Sequence, residues 1–232
     1  MLINRRNDYT PFSLYINDHK IEQVHSIKYL GIHIDDKLNW KQHIKYVEGK
    51  ISSACGAIYR LRQTLDQNFL RTFYFAHAYF HLQYSVLAWC NTTKDNLQRL
   101  NSLHGKLVRL MTLHGPLKDF YFSANEMFKN MDLLRLDDIY QLELAKFMHR
   151  AYANDLPQNF NIYFTRIEDM HKYNLRSIKN KTFYSKASKT KKYRQWITNS
   201  GVDLWQKIPA ELKTLSLNAF SKQYKDTIVD AY

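Results

Sequence analysis

The sequence predicts a mainly α-helical bundle with a small antiparallel β element at its N-terminus and a basic β-hairpin or extended arm near its C-terminus. Apolar residues recur at every second position before residue 35 and at every third or fourth position after it, which are the periods of strands and helices. A segment rich in Lys and Arg, without Asp or Glu, runs from Met170 to Val202. With 232 residues, 45% of them hydrophobic, the chain can bury a sizeable core.

The N-terminal segment, residues 1–35, has the pattern of short strands. Phe12, Leu14 and Ile16 alternate along one face, and the sequence Asn17-Asp18-His19 is typical of a turn. A second apolar run extends from Ile27 to Ile34. This pattern predicts two or three short strands.

The segment 36–115 is predicted to form three helices. The first has an apolar stripe and turns its cations to solvent; the stripe is Ile44, Val47, Ile51, Ala54 with Cys55, Ile58 and Leu61. The second, from about Gln67 to Trp89, is apolar on nearly every face, which predicts a position at the centre of the bundle. The third follows Asn91-Thr92-Thr93, where a threonine can cap it, and its stripe is Leu97, Leu100, Leu103, Leu107 and Leu110. Gly115-Pro116 should end this unit.

The C-terminal region, residues 116–232, contains further helix signals. Ser123 and Glu126 have the spacing of a capping box, which predicts a short helix. Another helix is predicted from about Asp137 to Asn154, and a last one from about Leu217 to Val229.

The basic arm, residues 170–202, is the most polarised part of the chain. Lysine and arginine can neutralise phosphates while aromatic rings stack on bases, so its mixture of cations with Tyr184 and Trp196 favours binding to a single-stranded or hybrid nucleic acid. The alternative is a solvated charged surface that only keeps the protein soluble.

Composition and charge narrow the functional classes. The chain has 34 Lys and Arg against 21 Asp and Glu, a net charge of +13, and such an excess indicates a polyanionic partner, with nucleic acid the first candidate. The two cysteines lack the spacing of a zinc site, and no Gly-rich phosphate loop or nucleophile motif is visible. No apolar run reaches the length of a membrane span and no secretory signal is seen, so we expect an intracellular protein without a membrane partner.

The adjacent carboxylates Asp35 and Asp36 raise the question of metal-dependent catalysis. Two-metal phosphoryl transfer needs carboxylates from different strands around a pair of ions, which one adjacent pair cannot supply. The pair stands where a strand ends and a helix begins, so we interpret it as a helix cap. The same interpretation applies to Asp137-Asp138.

His77 and His81 have the four-residue spacing of two metal ligands on a helix. No acidic or cysteine third ligand stands close to them in sequence, so we expect imidazoles that face the core or the bundle. The sequence predicts no metal and no cofactor for this chain.

Several motifs together resemble one protein family. Lys28-Tyr29-Leu30-Gly31-Ile32, followed by Asp35, Leu38, Trp40 and His43, resembles the "KYLGI" block that follows the palm domain in reverse transcriptases of non-LTR (LINE-type, jockey-like) retrotransposons. Tyr84 with Trp89 resembles the family's next helical segment, and LNSLHGKLVRLMT a later one, with His104 where Gln is common. The stretch VDLWQKIPAELKTLSLNAFSKQYKD resembles its closing block, with Gln206 and Ile208 in place of the usual Asn and Leu.

The resemblance covers nearly the whole chain and implies its organisation. Residues 1–35 would be the end of the palm with a primer-grip-like β element, residues 36–115 a thumb-like bundle, and residues 116–232 the region after the thumb. The family's catalytic carboxylates precede the KYLG block, so the chain alone is expected to be inactive. Mg²⁺ is expected only in the missing palm domain.

The sequence and the resemblance together predict a nucleic-acid-binding module for RNA, single-stranded DNA or their hybrid. The predicted contacts are Lys28, Tyr29, Lys41, Lys45, Lys50, Lys181, Lys186, Lys189, Lys191, Lys192 and Arg194. Two alternatives stay open. The chain could act as a thumb in trans with a separate palm fragment, or it could be a host-recruited or decayed interaction protein without a nucleic-acid role.

Overall fold

The computed structural model of the chain describes residues 13–112, 123–170, 181–184 and 196–232, together with Met1 and Ile3, and leaves out the side chain of Asn161. Two small antiparallel hairpins precede a bundle of helices, which confirms the predicted fold class. Most of the predicted basic arm, together with Phe12 and Gly115-Pro116, lies outside the described residues.

The β element consists of two hairpins with tight turns. β1 (Tyr15–Ile16) pairs with β2 (His19–Lys20), and β3 (Ser26–Tyr29) pairs with β4 (Ile32–Asp35). In each turn both central residues have positive φ, as in the type I′ turns whose twist suits a hairpin: Asn17 and Asp18 in the first, Leu30 and Gly31 in the second. Four strands therefore replace the predicted two or three, because His19-Lys20 pairs with Tyr15-Ile16 after a two-residue turn.

α1 (Lys41–Leu61) and α5 (Lys94–Thr112) pack against each other along their predicted stripes. Most stripe residues of both helices are buried, while Leu61 and Leu103 are half-buried. α5 begins directly after Thr93, as expected. The helical period of the sequence thus identified this pair correctly.

The predicted second helix is divided into several segments. α2 (Gln67–Tyr74) continues into a π-helical turn (Phe75–Tyr79) and α3 (Phe80–Gln83); the chain then breaks at Ser85 and resumes as α4 (Val86–Trp89). Two large side chains of these segments, Phe69 and Phe80, are 54% and 55% exposed. The segments contact α1, α5 and the later helix Leu136–Tyr152, as the predicted central position requires, although Phe69 and Phe80 lie at the edge of the bundle.

The C-terminal half packs around α7 (Leu136–Tyr152). α6 (Ala124–Asn130) opens with the predicted Ser123–Glu126 capping box, and α9 (Ile197–Lys207) and α10 (Leu217–Asp230) pack on α7. The shorter segments are the 3-10 helices Gln158–Tyr163 and Leu212–Thr214 and the helix α8 (Ile167–Met170). A Cβ added at Gly201 of α9 would meet Met148 Sδ at 2.6 Å, so glycine permits the close approach of α9 to α7.

The second carboxylate pair, Asp137-Asp138, lies in the first turn of α7, and Arg135 occupies the cap position. Asp138 accepts a hydrogen bond from Arg135 Nε at 2.8 Å and from the hydroxyl of Tyr232 at 2.6 Å. Asp138 therefore joins the start of α7 to the C-terminal residue, and the prediction of this pair as a helix cap is wrong because no side chain caps α7. No helix in the described part of the chain is both long and apolar enough to cross a membrane.

Candidate nucleic-acid interface

Two of the predicted contact residues meet over one aromatic ring. Nζ of Lys28, on β3, lies 5.8 Å from the ring centroid of Tyr46 on α1, and Nζ of Lys50 lies 5.4 Å from it. Both distances are within the range of a cation–π interaction. The structure therefore joins the hairpin and the first helix into one surface with two lysine cations.

Histidines extend this surface on both sides. His33 is the cross-strand partner of Lys28 and its ring centroid lies 5.4 Å from that of Tyr46. His81 approaches Tyr46 edge-on at 6.4 Å; burial lowers its pKa, and Lys50 and His77 lower it further. We call Lys28, His33, Tyr46, Lys50, His77 and His81 the Tyr46 surface. His81 faces the bundle as predicted, whereas His77 is exposed, which contradicts the core interpretation for that residue.

The β3–β4 hairpin is held at the Tyr46 surface by Tyr84, the residue that follows α3. The hydroxyl of Tyr84 donates a hydrogen bond of 2.6 Å to the carbonyl of Leu30, in the β3–β4 turn. Gly31 faces the same ring, and a Cβ built there would lie 3.5 Å from it. The turn thus rests directly on Tyr84, and this contact orients Lys28 and His33.

The loop between β4 and α1 is organised by Asp35. Its carboxylate accepts hydrogen bonds from the amides of Lys37, Asn39 and Trp40 at 3.1, 2.9 and 2.7 Å. Trp40, with a φ of 64°, occupies the cap position of α1, and no side chain caps this helix. The prediction of Asp35 as a helix cap is therefore wrong, because its carboxylate is taken up by amides of the loop before the helix. Asp36 Oδ2 lies 2.9 Å from His25 Nδ1, so both carboxylates serve the chain's own structure.

His43 lies beneath the surface and is 2% exposed. Within the described structure neither of its ring nitrogens has a hydrogen-bond partner. Burial, followed by the proximity of His33, lowers its pKa to about 4. At neutral pH His43 is therefore uncharged, and it contributes packing against Trp89 and Tyr46 rather than charge.

The other predicted contacts are placed elsewhere or are not described. Lys41 and Lys45 are exposed, but a five-residue step places Lys45 about 140° around α1 from Lys50, and Lys41 lies beside the pocket that Asp35 lines. Tyr29 is exposed at the end of β3, and the carbonyl of Lys181 accepts a hydrogen bond from Trp205. Lys186, Lys189, Lys191, Lys192 and Arg194 lie outside the described residues.

Sequence reasoning missed Tyr46, His33 and His81. Two local signals point toward them: Tyr46 precedes Lys50 by one helical turn, and a two-residue turn at Leu30-Gly31 makes His33 the partner of Lys28. Among the residues with a described position, no group of three or more His, Cys, Asp or Glu side chains could hold a metal ion.

Comparison of the chain with protein-family models, with curated proteins and with solved structures finds no match.

Proposed function

We propose that the chain is the thumb and post-thumb part of a retrotransposon RNA-directed DNA polymerase and that it binds the template–primer nucleic acid at the Tyr46 surface. The observation that carries the proposal is the meeting of Lys28 and Lys50 over the ring of Tyr46, with His33 and His81 beside them. In this proposal, polymer synthesis and the Mg²⁺ ions it needs belong to a palm domain.

The arrangement of charge around α1 supports a polyanionic ligand. Asp35 is occupied by three backbone amides, and Glu48 faces α5, where it pairs with Arg99 at 3.5 Å. The lysines of the Tyr46 surface are thereby left to a ligand from solution. Each phosphate that they neutralise would release counterions, so the affinity should fall steeply with salt.

A binding titration with matched charge variants tests the proposal. Fluorescence anisotropy would follow binding of an RNA–DNA hybrid, single-stranded RNA and single-stranded DNA across a salt series. The variant Lys28→Ala/Lys50→Ala should bind about tenfold more weakly, with a shallower salt slope, because two phosphate contacts are lost. The control Lys207→Ala/Lys222→Ala removes the same charge from exposed positions on α9 and α10 and should bind like the native chain.

Two results would contradict the proposal. A native chain that is folded but does not bind any of the three nucleic acids at low salt would exclude nucleic-acid binding. Equal losses in the two variants would show that net charge alone drives binding and that the Tyr46 surface has no special part. A third variant, Lys189→Ala/Lys191→Ala/Lys192→Ala, measures how much the predicted basic arm adds.

The β hairpins favour a second candidate, in which the chain acts as a thumb in trans with a separate palm fragment. Tyr15, Ile16, Ile27, Tyr29 and Leu30 are all exposed on these two-stranded hairpins. Exposed apolar side chains beside unpaired strand edges are typical of a protein-binding surface. Co-purification of a palm fragment with the native chain, abolished by Tyr15→Ser/Ile16→Ser, would support this candidate, and monomeric behaviour with no capture of the fragment would exclude it.

A further inference from the structure

A row of aromatic rings, four of them exposed and two half-buried, runs along the side of α2 and α3. Its members are Phe69, Phe73, His77, Phe80, His81 and Tyr84. Phe73 and His77 are 4.4 Å apart between ring centroids, Phe80 and His81 are 5.6 Å apart, and Phe80 and Tyr84 are 5.7 Å apart. The row ends at the hairpin turn, where Tyr84 binds the Leu30 carbonyl. Phe69, Phe80 and Tyr84 are exposed large hydrophobic side chains of this row, and a group of such side chains is typical of a binding surface.

The π-helical turn keeps the row on one side. Phe73, His77 and His81 stand four residues apart, and in a regular α-helix each such step turns a row by about 40° around the axis. The π segment Phe75–Tyr79 has more residues per turn, so the drift is reduced where the row crosses it. Consequently the row stays beside α1, where His81 approaches Tyr46.

The charges around this helix are divided between two sides. Lys50 lowers the pKa of His81, and its ammonium group lies over the ring of Tyr46. The side of the row that faces α1 therefore carries positive charge. Three carboxylates in the described part of the chain contact these segments and have partners there: Asp66 accepts from the Phe69 amide, Asp132 pairs with Arg71, and Glu143 accepts from Gln83 and Lys146. A ligand along the row would therefore meet positive charge near His81, where Lys28 and Lys50 lie over the Tyr46 ring.

We propose that the aromatic row is a stacking platform for the bases of a single-stranded nucleic acid whose phosphates lie along Lys28 and Lys50. This inference rests on the proposed function, because the Tyr46 surface supplies the cations. Within a template–primer it assigns this surface to the single-stranded part, where the bases are accessible. Aromatic platforms beside a positive groove bind single strands in this way, whereas a duplex keeps its base faces stacked on each other.

The test separates base stacking from charge. Anisotropy would compare a single strand of about 12 nucleotides, an abasic strand with the same number of phosphates, and a duplex of the same length. The variant Phe69→Leu/Phe80→Leu removes two rings from exposed helical positions while keeping apolar side chains that favour a helix. The control Tyr59→Leu removes one ring, 54% exposed, from α1 on the side of Lys45.

The native chain should bind the normal strand at least tenfold more tightly than the abasic strand. The Phe69→Leu/Phe80→Leu variant should lose most of this preference and keep the native affinity and salt slope for the abasic strand, and Tyr59→Leu should behave like the native chain. Equal native affinity for the normal and abasic strands would overturn the stacking platform while leaving polyanion binding intact. A change in self-association alone would also overturn it, in favour of a protein-docking row. Failure to bind any strand at low salt would instead contradict the proposed function.

Discussion

At the residue scale, two buried histidines have opposite surroundings. His43 has no described hydrogen-bond partner, whereas His104 Nε2 lies 2.8 Å from the hydroxyl of the buried Tyr74. Burial lowers the pKa of both, to about 4 for His43 and to about 3 for His104. Each imidazole is therefore neutral in the folded protein over most of the accessible pH range.

Substitution by leucine should change the free energy of unfolding differently at the two histidines. His43→Leu removes polar atoms without partners and should leave the free energy of unfolding unchanged or raise it by up to about 1 kcal/mol at pH 7. His104→Leu leaves the buried Tyr74 hydroxyl without its partner and should lower the free energy of unfolding by about 1–3 kcal/mol. Urea denaturation followed by circular dichroism measures both, and a loss above about 2 kcal/mol in His43→Leu would contradict the assigned environment.

The same two histidines should make the folded protein less stable as the pH is lowered. Both folded-state pKa values lie below the ordinary value of 6.5, so the unfolded chain binds more protons between about pH 4 and 6.5. Stability should therefore fall as the pH is lowered through this window, by about 2 kcal/mol for each group at pH 5. The loss between pH 7 and 5 should be smaller in His43→Leu than in the native chain, and an unchanged loss would show that His43 does not contribute.

Asp35 is the residue that decides between a structural role in the loop before α1 and a role as a metal ligand. Because its carboxylate holds three backbone amides, Asp35→Ala should lower the free energy of unfolding by about 2 kcal/mol. Asp226→Ala, at an exposed position of α10, is the matched control and should change little. If Mg²⁺ raised the melting temperature of the native chain and not of Asp35→Ala, the metal interpretation would be favoured instead.

At the element scale, the β3–β4 hairpin depends on its turn. Gly31 has a φ of 81°, and a Cβ there would also contact the Tyr84 ring. Gly31→Ala should therefore lower the free energy of unfolding by about 1–2 kcal/mol and loosen the hairpin. Native-state hydrogen exchange of residues 26–35 would detect this change. Gly49→Ala on α1 has open space and should instead stabilise the chain by about 0.5–1 kcal/mol; faster exchange of the hairpin in this control would contradict the account.

Elements with a local signal could be predicted from the sequence. The stripe of α1 and the Ser123–Glu126 capping box depend on spacing within one segment, and both are present in the structure. The division of the second helix could not be predicted, because the π turn and the left-handed Ser85 leave the pattern of apolar residues unbroken. The prediction of Asp35 as the cap of α1 is wrong, because the left-handed residues Leu38 and Trp40 fold the loop so that its own amides, and not those of the helix, reach the carboxylate.

At the scale of the whole molecule, the candidate interface depends on contacts between distant segments. Lys28, Tyr46 and His81 come from a hairpin and two different helices, and no spacing in the sequence links them. Net charge indicated a polyanionic partner but not where it would bind. The Lys41 and Lys45 contacts, predicted from exposure on α1, lie away from the ring that joins Lys28 and Lys50.

Hydrogen exchange of the whole chain, with and without an RNA–DNA hybrid that carries a single-stranded overhang, reports where the nucleic acid binds. We predict slower exchange in the β3–β4 hairpin, in the first turns of α1 and in α3, with little change in α10. The Lys28→Ala/Lys50→Ala variant should lose this protection at the same hybrid concentration. Protection confined to α7, α9 and α10, or none at a concentration at which the hybrid is bound, would contradict the Tyr46 surface as the nucleic-acid interface.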